Sequence, residues 1–293
     1  MDERKALLFA LGAVLLWSTV ATAFKITLTY FTPIKMLFLA SGFSIVALAA
    51  VAGIQGKLTQ AGDVFRSRPL FFVSMGLINP LAYYLVLFAA YDLLPASQAQ
   101  PLNYSWAITL TLMAAFFLGH PIRRYDIWAI LFGYLGVVVI ATKGDILGLQ
   151  FDSPLGVGLA LFSTILWSSY WILNAKNSAD PVLSVLLGFI VSLPLSGAMS
   201  LWEGAWQPVP WQGWFAVGYV GFFEMGITFV LWLTALKSTE NTARISNLIF
   251  ISPFISLLLL ATIIGEEIHL ATIVGLVLIV VGLLIQQMKR QPN

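Results

Sequence analysis

Glu224 stands inside "GWFAVGYVGFFEMGITFVLWLTAL" (213–236), an apolar stretch long enough to cross a bilayer. A carboxylate placed there costs at least ~2.5 kcal/mol on insertion scales, so it must face a wet cavity or a partner. The chemistry open to it is contact with a substrate ammonium or binding of a proton. The competing account is a protonated carboxyl hydrogen-bonded to a neighbouring helix. A second feature is Asn79-Pro80 in "GLINPLAYY". Proline removes a backbone donor and disrupts the preceding turn, which frees carbonyls at positions 75–77. Such broken backbone is tolerated in a membrane only against protein or a water-filled cavity. Asn79 offers both a donor and an acceptor there. Tyr83 and Tyr84 follow on adjacent faces, so at most one is expected to point straight into that cavity. In "QPLNYSWA", Gln100, Asn103 and Tyr104 share one helix face around Pro101. Ser246, Asn247 and Phe250 make a comparable polar and aromatic patch shortly before Pro253. Hydrogen bonding between helices, worth ~0.6 kcal/mol per pair, would also use such groups. Two polar patches flanking one midplane favour a cavity.

Aromatic residues supply the other chemistry. "LLWST" (15–19) is nearly repeated in "ILWSSYW" (165–171), so Trp17 and Trp167 are each followed by serine deep in an apolar segment. Trp171 lies one turn after Trp167 on the same face, and such rings suit stacking against an aromatic or apolar side chain. Trp232 follows Glu224 by about two turns. Trp202, Trp206, Trp211 and Trp214 instead sit near loop ends, where tryptophan marks the membrane interface. Nothing in the sequence has metal-ligand spacing or pairs a nucleophile with a base. No enzyme activity and no cofactor is therefore expected. There is no G-x-x-x-x-G-K-[ST] phosphate loop, so no built-in ATP motor exists and no ATPase subunit is expected. No basic cluster invites nucleic acid. With no cysteine there is neither a disulfide framework nor a thiolate metal site.

The elements that must position these residues are membrane helices. The 293 residues are 59% hydrophobic and only 10% charged, with a mean hydropathy of +0.91. Soluble domains carry about 25% charged residues, and apolar runs of about 20 residues fit a bilayer core. Continuous rather than alternating runs make the spans helical. Ten are expected, at about 6–25, 33–53, 70–91, 96–118, 125–142, 154–174, 182–202, 213–236, 242–264 and 269–287. The opening "DERK", its apolar run and "ATA" (21–23) have the look of a signal peptide. The run continues to Phe24, however, and a retained first helix is expected. Arg4, Lys5, Lys57, Arg66, Arg68, Arg123, Arg124, Lys176, Lys237, Arg244, Lys289 and Arg290 then fall on the side of the N-terminus, against Lys25, Lys35 and Lys143 on the other. That bias puts both termini in the cytoplasm and the chain in the inner membrane, with the lipid bilayer as a partner.

The two halves align. Trp17 meets Trp167 at an offset of 150 and Pro33 meets Pro181 at 148, while Gly119 with Gly265, Gly136 with Gly282 and Ala89 with Ala235 all align at 146. The expected division is 1–147 and 148–293, five helices each. Five is odd, so the second half enters the membrane inverted. This all-α inverted-repeat plan is that of secondary transporters, with a midplane site between the halves.

The motifs carry a family likeness. "GEEIHLATIVGLVLIVVGLLI" (265–285), with "ISPF" (251–254) before it, resembles the ending of EamA-type units of the drug/metabolite transporter superfamily. "QPLNYSWA" resembles the Asn-Tyr-x-Trp segment of aromatic amino-acid exporters of the YddG type. His120 stands where the unit has glutamate and Ala107 where it has proline, which implies a different end and bend for the fourth helix. The resemblance implies ten helices in two inverted halves and export of small organic solutes from the cytoplasm. On that basis, Trp17, Asn79, Tyr83, Gln100, Asn103, Tyr104, Trp167, Trp171, Glu224, Ser246 and Asn247 are expected to bind an amino acid. The side chain would meet the aromatics, and the charged groups would meet Asn, Gln and Glu224. Pro80, Pro101 and Pro253 are expected to break the gating helices. Another metabolite or a lipophilic cation on the same scaffold is the alternative cargo.

Overall fold

The computed structural model describes residues 2–148, 151–174, 177–240, 245 and 247–287. Among them, eight helices are long and apolar enough to cross a membrane. These are α1 (Glu3–Leu28), α2 (Pro33–Ile54), α3 (Pro69–Leu93), α4 (Ala96–Leu118), α5 (Arg124–Ala141), α6 (Pro154–Asn174), α7 (Pro181–Trp202) and α8 (Trp211–Ser238). Two shorter apolar helices follow, α9 (Leu248–Ile264) and α10 (Leu270–Gln287). Ser246, which belongs to the expected polar patch, and Lys176, Arg244, Lys289 and Arg290 of the charge comparison lie outside the described residues.

The helix boundaries follow local chemistry. Proline opens α2, α3, α6 and α7, where its missing N–H costs nothing and its fixed φ suits the first turn. Gly119 and Gly265 close α4 and α9 at φ +67° and +74°, a left-handed cap that L side chains rarely adopt.

Packing between helices has a reciprocal pattern. The α1–α8 contact has a counterpart in α6–α3, α2–α8 in α7–α3, and α1–α9 in α6–α4, while α2 packs on α7 and α5 on α10. Small residues allow the last approach. A Cβ on Gly282 would stand 2.8 Å from the Ala129 carbonyl, and one on Gly136 would meet the Gly275 carbonyl.

Loop contacts gather at two ends of the bundle. At one end, Lys25 Nζ donates to the Tyr91 and Leu94 carbonyls at 2.8 and 2.9 Å. Glu266 accepts from the Ala96 and Ser97 N–H groups at 3.2 and 2.8 Å, and Asp152 joins Gln98 to Lys143. From sequence, Glu266 needs no special role beside Glu267. Its carboxylate instead caps the otherwise unpaired N–H groups at the start of α4. At the opposite end, Asp2 N–H donates to the Ser238 carbonyl at 3.1 Å and Lys57 pairs with Asp180 at 2.6 Å. Burial alone would raise the Asp180 carboxyl. The Lys57 ammonium and the Leu183 and Val182 N–H groups outweigh that and hold it below the ordinary carboxylate range.

Candidate functional site

Two irregular helices carry the centre. In α3 the backbone at Asn79 leaves the helical region (φ −142°, ψ 117°) and the helix widens over Leu77–Ala82. Helix α7 closes on the break at Gly188, whose added Cβ would lie 3.3 Å from the Asn79 carbonyl. Helix α8 widens likewise over Val220–Ile227, with no proline inside. There the Ser44 hydroxyl of α2 donates to the Gly221 carbonyl at 2.8 Å, and a Cβ on Gly221 would strike the Ala40 carbonyl and Phe43. Wide turns of this kind project side chains away from the regular helical faces and concentrate at functional sites. Here the wide turn contains Glu224, which is 7% exposed.

From Tyr84, the partner of that carboxylate, a continuous set of rings extends through the cluster. Phe229 joins Trp17, at 5.8 Å between centroids, to Trp167, at 6.2 Å. Trp232 closes on Trp17 at 5.4 Å. Tyr83 stacks on Trp167 at 4.6 Å, and Tyr170 stacks on its ring at 5.7 Å. Trp171 and Trp106 meet Trp167 edge-on at 5.9 and 6.3 Å. Polar groups thread this cluster. The Tyr84 hydroxyl donates to Glu224 Oε1 at 3.3 Å, and the Tyr83 hydroxyl reaches Asn103 Oδ1 at 3.4 Å. Asn103 Nδ2 donates to Ser163 Oγ at 2.9 Å. Several buried atoms have no hydrogen-bond partner: Glu224 Oε2, Asn79 Oδ1, both polar atoms of Gln100, Trp171 Nε1, Asn247 Oδ1 and the Ser252 and Ser256 hydroxyls. Buried polar atoms are normally paired.

The sequence profile of the EamA-like transporter family matches residues 4–142 and again 154–286. The chain belongs to the EamA-like transporter family. Among its relatives, the aromatic amino acid exporter YddG of Ancylobacter novellus is 26% identical over 263 residues, 89% of each chain. The uncharacterized transporter YyaM of Bacillus subtilis is 22% identical, across 89% of this chain and 86% of that one. A crystal structure aligns over 96% of both chains with a TM-score of 0.70 at 24% identity, which shows a shared fold. This chain is thus a multi-pass membrane transporter and not an enzyme.

Most of the expected site residues of this EamA-like transporter meet in one cluster. Trp17, Tyr83, Asn103, Trp167 and Trp171 are linked by ring contacts or hydrogen bonds, and Glu224 joins through Tyr84. The Tyr170 hydroxyl is directed at Asn79 without bonding to Asn79 Oδ1. Tyr104, on the same face as Gln100, is directed at Ser252 in α9. Gln100 and Asn247 make no hydrogen bond or ring contact to the aromatic cluster among the described residues.

Three details differ from expectation. Both tyrosines, not one, reach the cluster: Tyr83 stacks its ring on Trp167, and Tyr84 donates its hydroxyl to Glu224. Pro101 does not break α4, which stays regular to Tyr104 and is interrupted at Ser105. Pro253 marks the junction between a tighter turn, Leu248–Ile251, and the regular Ser252–Leu259 segment. Phe229, Tyr170, Ser163 and Trp106 went unrecognised from sequence. Tyr170 sits inside the quoted "ILWSSYW" and had a visible signal, whereas Phe229 looks like any apolar residue of a membrane helix.

Proposed function

We propose that this transporter exports amino acids, aromatic and other apolar ones, from the cytoplasm by alternating access through the site described above. Ten helices in two inverted five-helix halves, 1–147 and 148–293, would rock about the midplane, with both termini in the cytoplasm of an inner-membrane protein. The observation that carries the cargo assignment is Phe229 wedged between Trp17 and Trp167, with the buried Glu224 joined to the same cluster through Tyr84 and Tyr83. Rings at these spacings hold an apolar or aromatic side chain, each contact worth ~0.5–1.5 kcal/mol. The free Glu224 Oε2 and Asn79 Oδ1 accept from an ammonium. Gln100 Nε2 and the Ser252 and Ser256 hydroxyls are donors suited to a carboxylate. The exporter name carried by the Ancylobacter relative agrees with this reading. The reading of two halves draws on the paired family matches and on the reciprocal helix contacts. The topology draws on the charge bias, and on the pairing of all three minority-side cations. Lys25 is held by carbonyls, Lys35 by Glu203 and Ala205, and Lys143 by Asp152.

A lipophilic cation is the second reading, favoured by a buried carboxylate bonded to Tyr84 at the edge of the aromatic cluster, since carboxylates and aromatic faces both attract organic cations. Proteoliposomes loaded with labelled phenylalanine separate the two. Efflux above protein-free vesicles, lowered at least about tenfold by Glu224→Gln, is the expected outcome; one such factor is about 1.4 kcal/mol. Efflux of a quaternary ammonium with none of phenylalanine would replace the amino-acid reading by the cation one.

A further inference from the structure

We propose that the groove between the start of α1 and the end of α8 is a binding site for one anionic phospholipid. The groove has a volume of about 440 Å³ and is lined by Asp2, Arg4, Lys5, Leu8, Phe9 and Leu231. None of its lining residues is among the site residues described above, although Phe9 packs in the same small core as Trp232, at the edge of the aromatic cluster. Its volume falls within the ~300–1,000 Å³ of small-molecule pockets.

The order of its chemistry along α1 is that of a lipid. Arg4 and Lys5 stand at the polar beginning of the helix, and Leu8 and Phe9 follow one turn deeper, opposite Leu231 of α8. Arg4 and Lys5 are both exposed and form no ion pair among the described residues. The Lys5 ammonium rests 5.9 Å above the Phe9 ring, which joins the basic part to the apolar part. Leu8 is 64% exposed. Asp2 is the acid in the lining, and its Oδ1 is turned onto the Lys5 backbone N–H at 3.0 Å. Two unpaired cations call for a negative headgroup, and the apolar wall below them calls for an acyl chain. A free phosphate would leave Leu8, Phe9 and Leu231 uncovered. A zwitterionic lipid would bring its own cation against Arg4 and Lys5. Basic pockets between membrane helices on the cytoplasmic side recognise anionic headgroups in this way.

The site is placed to affect the transport cycle. Beside it, Asp2 N–H holds the Ser238 carbonyl at 3.1 Å. Glu3 accepts from the Thr239 hydroxyl at 2.9 Å and from the Glu240 N–H at 2.7 Å. A lipid fastening the start of α1 to α8 therefore also steadies the turn from α8 towards α9. Assignment to the cytoplasmic leaflet rests on the topology proposed above. Binding itself is read on purified protein without any transport step, so failure of amino-acid export leaves it standing.

Native mass spectrometry of the detergent-purified chain, titrated with dioleoylphosphatidylglycerol or dioleoylphosphatidylcholine, tests it. Each basic residue near an anionic group is worth about fivefold in affinity, so a preference for phosphatidylglycerol of about 25-fold is expected. Arg4→Gln with Lys5→Gln should bring the two lipids within about twofold, while Arg123→Gln with Arg124→Gln, the same charge loss at another exposed point, should keep the preference. Leu8→Ser should weaken the long-chain lipid and leave the headgroup preference. Equal binding of both lipids by the wild type would overturn the proposal. So would a preference that survives the Arg4/Lys5 change, or displacement of the lipid by millimolar inorganic phosphate, which would reveal an anion site only.

Discussion

At the scale of single residues, Phe229 bears most on how the site is built. It stands five positions after Glu224, within α8, and is the ring through which Trp17 and Trp167 communicate. Removing it leaves both indoles in place but breaks the wall between them. Phe229→Ala is expected to raise the KM for an aromatic substrate by roughly threefold to tenfold, from the loss of one cargo–ring contact of ~0.5–1.5 kcal/mol. Phe229→Leu should recover part of the loss for aliphatic substrates, because it restores apolar volume without the ring. An unchanged KM in initial-rate uptake by Phe229→Ala vesicles would remove this ring from the cargo wall. Glu224, Asn79 and Asn103 were legible in the sequence because polar groups in a bilayer are expensive and rarely idle. Phe229 was not, because an apolar residue there costs nothing on any face of the helix.

At the scale of elements, the helix ends explain which parts of the fold could be read in advance. The expected limits 96–118 and 154–174 coincide with α4 and α6, since Pro95 or Pro154 opens each helix and Gly119 ends α4. The interior of α8 was not legible: its wide turn holds no proline and lies where Gly221 packs closely against Ala40 and Phe43 of α2. A wide turn without proline leaves no such local signal, whereas Pro80 announces the one in α3. The start of α7 yields a test of this end chemistry. Asp180 caps α7 through the Val182 and Leu183 N–H groups and pairs with Lys57. Its carboxyl is depressed in the folded chain, so the stabilisation is complete above the ordinary carboxylate pKa of ~3.9 and is lost as pH falls through the folded value. Because the pair is only partly buried, solvent screening keeps the effect modest. Asp180→Asn should melt below the wild type at pH 7, with the two melting temperatures converging in the acid range below pH ~4. A gap that persists undiminished in acid would show that the cap acts through shape rather than charge.

At the scale of the whole molecule, the reciprocal helix contacts and the two separate ends make one demand. If the halves are inverted copies, corresponding loops must lie on opposite sides of the membrane. Thr59, between α2 and α3, corresponds to Gln207, between α7 and α8, at an offset of 148. His120, after α4, corresponds by position to Glu266, and its near neighbour Glu267 lies in the same loop after α9. All four of Thr59, Gln207, His120 and Glu267 are exposed, so a probe can reach them. The natural chain has no cysteine, so a single substitution at each position gives one unambiguous label. In intact cells, a membrane-impermeant maleimide is expected to label Gln207→Cys and Glu267→Cys at once. Thr59→Cys and His120→Cys should react only after the membrane is opened. Labelling both members of either pair from the same side would make the repeat parallel rather than inverted. A parallel repeat would still make Trp17 and Trp167 equivalent, but about an axis along the membrane normal, on helices that run in the same direction. The pattern expected here places those two indoles on helices that cross in opposite directions. Rocking of one half against the other can then expose the rings between them first to one face and then to the other.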